Sequence, residues 1–397
     1  MTTGPLHLDE PIYLDHQATT PLDQRVLDAM LPYLSRHFAN AASPHAAGRA
    51  AAAAVDDARG QLAELLGARP HELVFTSGAT EANNLAIKGL AVDPKGRRHL
   101  VACATEHPSV LEPLRRLAAE GFELTKVGVD RRGTIDLAEL EEAVGPQTLL
   151  VCVMAANNEV GTVAPVRRVV EIAHAQGAAV HCDATQAVGK LDVDVDDLGA
   201  DLVAMSAHKL YGPKGVGALY IRRTLVPRIR PLLDGGGHER GLRSGTTNVA
   251  GCVGLGVAAV IAGAEMGHEA ARLRALADQL RHGIERRTHG IALVGHPTER
   301  IPGNLSLAFA GTDAEDVMLS MPDVAVSTGS ACSTAARTPS HVLLALGLDY
   351  VAAQSVLRFG VGRFTTPAEV DTAAVRVTEA VACRRADSSP IDVGAGR

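Results

Sequence analysis

Val180-His181-Cys182-Asp183-Ala184-Thr185-Gln186 closes an apolar run that begins at Ala178. A run this short and this continuously apolar reads as a strand buried on both faces, residues 178–182. Asp183 then stands directly at the strand's carboxyl end, where open α/β sheets bind ligands. Taken alone, an Asp there is as readily a helix cap. Working outward, residues 72–75, 100–104, 149–154, 202–206 and 216–221 have the same character, and most of the intervals between them can hold a crossover helix. Residues 46–66 have helical periodicity and stop at Gly67, a C-cap. The alternation predicts an α/β fold with a mainly parallel sheet covered on both faces. Past Ala264 the texture changes: a long charged helix over 265–288 is followed by strand-like 305–309, 325–327 and 356–361, which suggests a smaller α+β unit.

At 397 residues the chain exceeds what one hydrophobic core serves, and its 46% apolar content suffices for a large core plus a smaller one. The net charge of -7 is mixed along the chain with no Lys/Arg run, so neither nucleic acid nor an anionic membrane is the expected main partner. Residues 1–10 are polar and lack a signal-peptide layout. The apolar stretch 249–264 is Gly/Ala-rich and falls short of the roughly 20 residues of a membrane span. A soluble cytoplasmic protein is expected. None of the six cysteines forms a CxxC pair; Cys103, Cys152 and Cys182 read as small buried hydrophobes, whereas Cys332 has small polar neighbours. Lysine is scarce, which confines any catalytic lysine to Lys88, Lys95, Lys126, Lys190, Lys209 or Lys214.

Four clusters carry chemistry. Thr76-Ser77-Gly78-Ala79-Thr80-Glu81 lies between a strand and a helix; its backbone N–H groups suit a phosphate, although an ordinary N-capped turn has the same look. It is neither a Walker A loop nor a dinucleotide fingerprint. Asp183 is the second. The third, Ser206-Ala207-His208-Lys209, again ends an apolar strand and precedes Tyr211-Gly212-Pro213-Lys214-Gly215. A lysine at such an edge is usually solvated, but Schiff-base chemistry needs a partly desolvated lysine. Pyridoxal 5′-phosphate (PLP) also needs an acidic partner for its ring nitrogen and a cradle for its phosphate. The three clusters together supply these parts. The fourth, Val326-Ser327-Thr328-Gly329-Ser330-Ala331-Cys332-Ser333-Thr334, runs from a strand into a loop of small residues, which implies an exposed, reactive thiol. Its plain alternative is an incidental surface cysteine.

These residues resemble the group I (NifS/IscS-like) cysteine desulfurases, within the class V aminotransferases of PLP fold type I. The resemblance runs nearly end to end: Tyr13-Leu14-Asp15, Ala18-Thr19-Thr20-Pro21, Thr105-Glu106-His107, Asn157-Asn158-Glu159-Val160-Gly161, Gly235-Gly236-Gly237-His238-Glu239, Arg243-Ser244-Gly245-Thr246, Ser330-Ala331-Cys332 and Arg358-Phe359, beside the clusters above.

The resemblance implies a seven-stranded, mainly parallel sheet in a large PLP-binding domain, residues 18–263. A small domain, residues 1–17 and 264–397, would carry the cysteine loop. It further implies PLP as cofactor, L-cysteine as substrate, a homodimer and a sulfur-acceptor protein as partner. By the same resemblance Lys209 is the Schiff-base lysine, Asp183 the partner of the pyridine nitrogen, and His107 the imidazole stacked on the ring and a catalytic proton carrier. Gln186 is the donor to the phenolic oxygen. Ala79, Thr80, Ser206 and His208 form the phosphate cradle, completed by Thr246 of a second subunit; Asn158 and Arg358 hold the substrate carboxylate, Asn158 also contacting the cofactor; Cys332 accepts the sulfur. Ala41, Ala207 and Asp234 depart from the family pattern, which bears on substrate access and fine tuning. A selenocysteine lyase, another class V enzyme without thiol chemistry and a catalytically silent scaffold are the competing readings. Cys332 argues against the first two and intact Lys209, Asp183 and Cys332 against the third. The destination of the sulfur, among iron–sulfur clusters, tRNA, DNA phosphorothioation and natural products, is not encoded in these motifs.

Overall fold

Seven runs pair into one sheet: β1 (Leu73–Thr76), β2 (His99–Cys103), β3 (Glu123–Val127), β4 (Thr148–Met154), β5 (Ala179–Asp183), β6 (Leu202–Ser206) and β7 (Gly217–Ile221). This is a computed structural model, and it describes residues 11–93, 95–328 and 339–388. The strand order is β1-β7-β6-β5-β4-β2-β3. Only β7 runs against the rest, being antiparallel to β1 and β6, so the sheet is mainly parallel as expected. Strands β4 to β7 are buried along their whole length, which is why they carry no polar alternation. The sequence reading has no counterpart for β3. Glu-Leu-Thr-Lys-Val is a half-exposed edge strand whose polar residues break the apolar signal.

Helices cover both faces. On one side, Val55, Ala58 and Leu62 of α2 (Ala46–Leu65) pack with Val169 and Ala173 of the helix Val166–Ala175 against β5 and β6. On the other, Leu85 and Ile87 of α3 (Ala79–Leu90) pack with Leu114 of α4 (Pro108–Ala119) against β2 and β4. The second sheet is antiparallel throughout: β8 (Ile291–Leu293), β9 (Asn304–Phe309), β10 (Ser327–Thr328) and β11 (Val356–Gly360), in the order β10-β11-β9-β8. The single strand expected over 325–327 is two pieces. Val324–Ala325 pairs with Ile12–Tyr13, and the chain changes partner at Val326 before Ser327–Thr328 joins β11.

The expected charged helix over 265–288 is the second half of one 37-residue helix, α5 (Val249–Glu285). Its glycines do not interrupt it; they let it lie close to its neighbours. A Cβ at Gly256 would come within 2.6 Å of the Ala58 Cα, and one at Gly254 within 2.6 Å of the Met30 sulfur. The helix is therefore long and apolar enough to cross a membrane, contrary to the reading of 249–264 as too short. Yet 61% of its most apolar window is buried inside the protein, against α2 and α1 (Gln24–Ser35). It is a core helix, joining Leu255 and Ala258 in the large core to Leu273, Leu276 and Leu280 in the core of the second sheet. Cys103, Cys152, Cys182 and Cys252 are buried, as the apolar surroundings of the first three imply.

Candidate active site

The parallel strands all end on one edge of the sheet, and the loops leaving them enclose a cavity of about 550 Å³. The β1–α3 turn supplies Ser77 to Glu81; the segment after β2 supplies His107 and Ser109; that after β4 supplies Asn158. Asp183, Thr185 and Gln186 follow β5, and Ser206, His208 and Lys209 follow β6. Arg358 reaches the same space from β11 of the second sheet. Ten of the twelve expected site residues thus meet in one cavity: Ala79, Thr80, His107, Asn158, Asp183, Gln186, Ser206, His208, Lys209 and Arg358. Thr246 is exposed and does not line it. Cys332 lies outside the described residues.

The floor is built around Asp183, whose Oδ1 accepts the Thr185 amide at 3.0 Å and whose Oδ2 accepts Asn83 Nδ2 at 2.8 Å. Asn83 also donates to Ser109 Oγ at 2.8 Å, and its Oδ1 lies 2.9 Å from His181 Nε2. Asn83 is fully buried on α3 and was not among the expected site residues. Its signal is an amide on the apolar face formed by Ala82, Leu85 and Ala86, which needs a polar partner below it.

His107 caps α4, its Nδ1 accepting the Ser109 backbone N–H at 3.1 Å with Ser109 Oγ at 2.7 Å. A ring nitrogen facing an N–H donor carries no proton, so the neutral ring has its hydrogen on Nε2. Burial, and then the positive charge of Lys209, lower the pKa of His107 against the pull of Asp183. His208 is likewise pushed down to about 4 by burial, with Lys209 and Lys214 adding to it. Lys209 Nζ donates to the carbonyls of Gln17 and Ala18 at 2.6 Å each, so the segment entering the fold from the N-terminus helps form the site.

Gly78, at φ +148°, turns the chain so that α3 begins with its free amides at the cavity wall. A Cβ at Gly217 would come within 2.7 Å of the Gly78 Cα, so only glycine lets β7 lie against this turn. Glu81 accepts the Ser77 amide at 2.7 Å and pairs with Arg243 at 2.8 Å, which fixes the turn from outside. Arg358 is buried; Nη2 donates to Asp15 at 2.7 Å and Nη1 to the Asn158 carbonyl at 3.0 Å.

The residues fit PLP. Arg358 Nε and Thr185 Oγ1, both in residues lining the cavity, are buried without a partner among the described residues. The α3 amides, Ser206 and Lys214 give an electropositive, donor-rich end suited to a phosphate dianion, while Lys209 and Asp183 share the same space. Of the departures, Ala207 is fully buried, and its methyl sits where Gly212 leaves room.

A mainly parallel sheet with a lysine, a carboxylate and a phosphate cradle at its carboxyl edge defines an enzyme of PLP fold type I. The class-V aminotransferase family model matches residues 12–372. Cysteine desulfurase IscS of Anaeromyxobacter sp. (strain Fw109-5) is 50% identical over 374 residues, 94% of this chain and 92% of that protein. A solved NifS-like protein superposes with a TM-score of 0.88 at 37% identity, covering 94% of this chain and all of that one. SspA, solved in complex with cysteine, superposes with a TM-score of 0.79 at 36% identity over 89% of this chain and 99% of its own. The chain belongs to the class-V aminotransferases and, within them, to the IscS/NifS-type cysteine desulfurases, whose cofactor is PLP.

Proposed function

We propose that this chain removes sulfur from L-cysteine, releases L-alanine, and holds the sulfur as a persulfide on Cys332 for transfer to a sulfur-acceptor protein. The observation that carries the reading is the convergence of Lys209, Asp183, His107 and Arg358 on one cavity, beside its kinship with cysteine desulfurases. Bound there, PLP supplies the electron sink that makes the substrate's Cα proton labile. Lys209 would hold the cofactor through its Nζ, and its amine, once exchanged for that of the substrate, would move the Cα proton. Asp183 would hold the pyridine nitrogen, its two oxygens fixed by Asn83 and the Thr185 amide. His107, neutral with its hydrogen on Nε2, would lie against the cofactor and carry protons. Gln186 would donate to the phenolic oxygen, and Ala79, Thr80, Ser206 and His208 would take the phosphate. Arg358 and Asn158 orient the substrate carboxylate. The Cys332 thiolate attacks the substrate sulfur: an S–S bond forms, the Cβ–S bond breaks, and its electron pair returns to the carbon, which takes a proton to become the alanine methyl.

In this reading residues 18–263 carry the cofactor, and residues 1–17 with 264–397 carry the cysteine loop. The enzyme is a cytoplasmic homodimer. Thr246 is exposed here, as a residue serving the phosphate of a second copy would be in a lone chain, and two-fold interfaces present the same patch on both partners. Purified protein given L-cysteine and a reductant is expected to release L-alanine and sulfide in equal amounts from a species that sediments as a dimer. Absence of alanine would refute the activity; a fully active monomer would refute the shared site.

Replacing Arg358 by Ala is expected to raise KM for L-cysteine about ten- to hundred-fold, since a hydrogen bond to a charged group contributes roughly 1.5–3 kcal/mol. Bound PLP should persist. An unchanged KM would assign the carboxylate to another residue.

A further inference from the structure

Gln186 and Lys190 stand four residues apart on a helical turn after β5, where the amides of Val188 and Leu191 bond back to Ala184 and Ala187. That spacing puts both side chains on one face. Lys190 Nζ donates to Gln186 Oε1 at 2.9 Å, and Gln186 Nε2 donates to the Gln17 carbonyl, also at 2.9 Å. The same carbonyl accepts Lys209 Nζ. A chain of hydrogen bonds therefore runs from Lys190, outside the cavity, through Gln186 to the lysine inside it. Lys190 itself borders a small separate space lined by His16, Gln17, Tyr211 and Glu269. Although part of its surface is accessible, burial and then the charges of Lys209 and Arg358 draw its pKa down to about 7, with Glu269 acting the other way. A lysine kept in such surroundings is costly unless its N–H groups serve a purpose.

A glutamine amide presents either its oxygen or its nitrogen, and its neighbours decide which. We propose that Lys190 is a positioning residue: by holding Gln186 Oε1, while the Gln17 carbonyl takes one amide N–H, it leaves the other N–H to face the cofactor's phenolic oxygen. This rests on the reading of Gln186 given above. An N–H directed at that oxygen stabilises its anion and lowers the proton affinity of the adjoining lysine–cofactor linkage. With Lys190 gone only the Gln17 carbonyl holds the amide, which is then freer to rotate and set its own oxygen against the anion.

The test is a spectrophotometric pH titration of the linkage in folded, PLP-loaded enzyme. Lys190→Met is expected to raise the midpoint by about one pH unit, the size of one ordinary hydrogen bond. Gln186→Ala is expected to raise it similarly, and adding Lys190→Met to Gln186→Ala to change nothing more. If Lys190→Met does not retain PLP, Lys190→Gln, which keeps an N–H donor, is expected to titrate like the wild type. Equal shifts from Lys190→Met in both backgrounds would mean a through-space charge effect and overturn the proposal. A shift in Gln186→Ala with none in Lys190→Met overturns it while sparing the role of Gln186; no shift in Gln186→Ala removes both. A displaced midpoint in Lys190→Gln also overturns it.

Discussion

Lys209→Ala protein is expected to lose the visible absorbance of lysine-linked PLP and to turn over L-cysteine at least about 10³-fold more slowly, the scale on which a positioned base and nucleophile act. Six lysines exist, and Lys209 and Lys214 alone line the cavity. Of these two, Lys209 closes β6 beside Asp183 at the sheet edge and is tethered to the carbonyls of Gln17 and Ala18. Those carbonyls hold the amine in place before any cofactor arrives, so the alanine variant loses a placed nucleophile along with a basic group. Borohydride reduction followed by peptide mapping checks this directly. A reduced PLP adduct at Lys88, Lys190 or Lys214 would sink the assignment.

Cys332→Ser protein is expected to bind PLP normally and to respond spectrally to L-cysteine, yet to yield no persulfide or sulfide. A serine hydroxyl at neutral pH is almost wholly protonated, whereas a cysteine thiol supplies some thiolate, and only the thiolate attacks sulfur at a useful rate. Among the described residues, the cofactor's surroundings come mainly from the ends of β1, β2, β4, β5 and β6, so binding and reaction are expected to be separable. Normal alanine formation by this variant would refute the nucleophile.

The sequence makes the cavity legible because catalysis at a sheet edge leaves polar residues directly after apolar strands. Asp183, Ser206 and Lys209 all have that signature. What it hides is support that lies on the wrong face or far along the chain. Asn83 is a helix residue among alanines and leucines, and its bond to Asp183 spans a hundred positions. The carbonyls of Gln17 and Ala18 are backbone groups, which side-chain chemistry cannot announce. Edge strand β3 escapes for the opposite reason: half exposed, it needs no apolar run. The partner change at Val326 is invisible because both of its two-residue pieces are too short to carry a period. Helix α5 is misjudged because glycine weakens helices in isolation, and the close approach to Ala58 and Met30 that it permits is a tertiary fact.

That helix has a mechanical consequence. Its first half is clamped by α2 and its second by Leu14, Leu307 and Phe309 of the other core, so the change of composition near Ala264 is not a joint. Severing the chain there would cut a continuous rod in mid-turn and strand Leu273, Leu276 and Leu280 without the stiff shaft that aligns them. Arg358 enters the cavity from the sheet on the far end of that shaft, while Lys209 belongs to the near end. The spacing between Arg358 and Lys209 is thus bridged by a single unbroken beam, beside the bond from Arg358 to the Asn158 carbonyl.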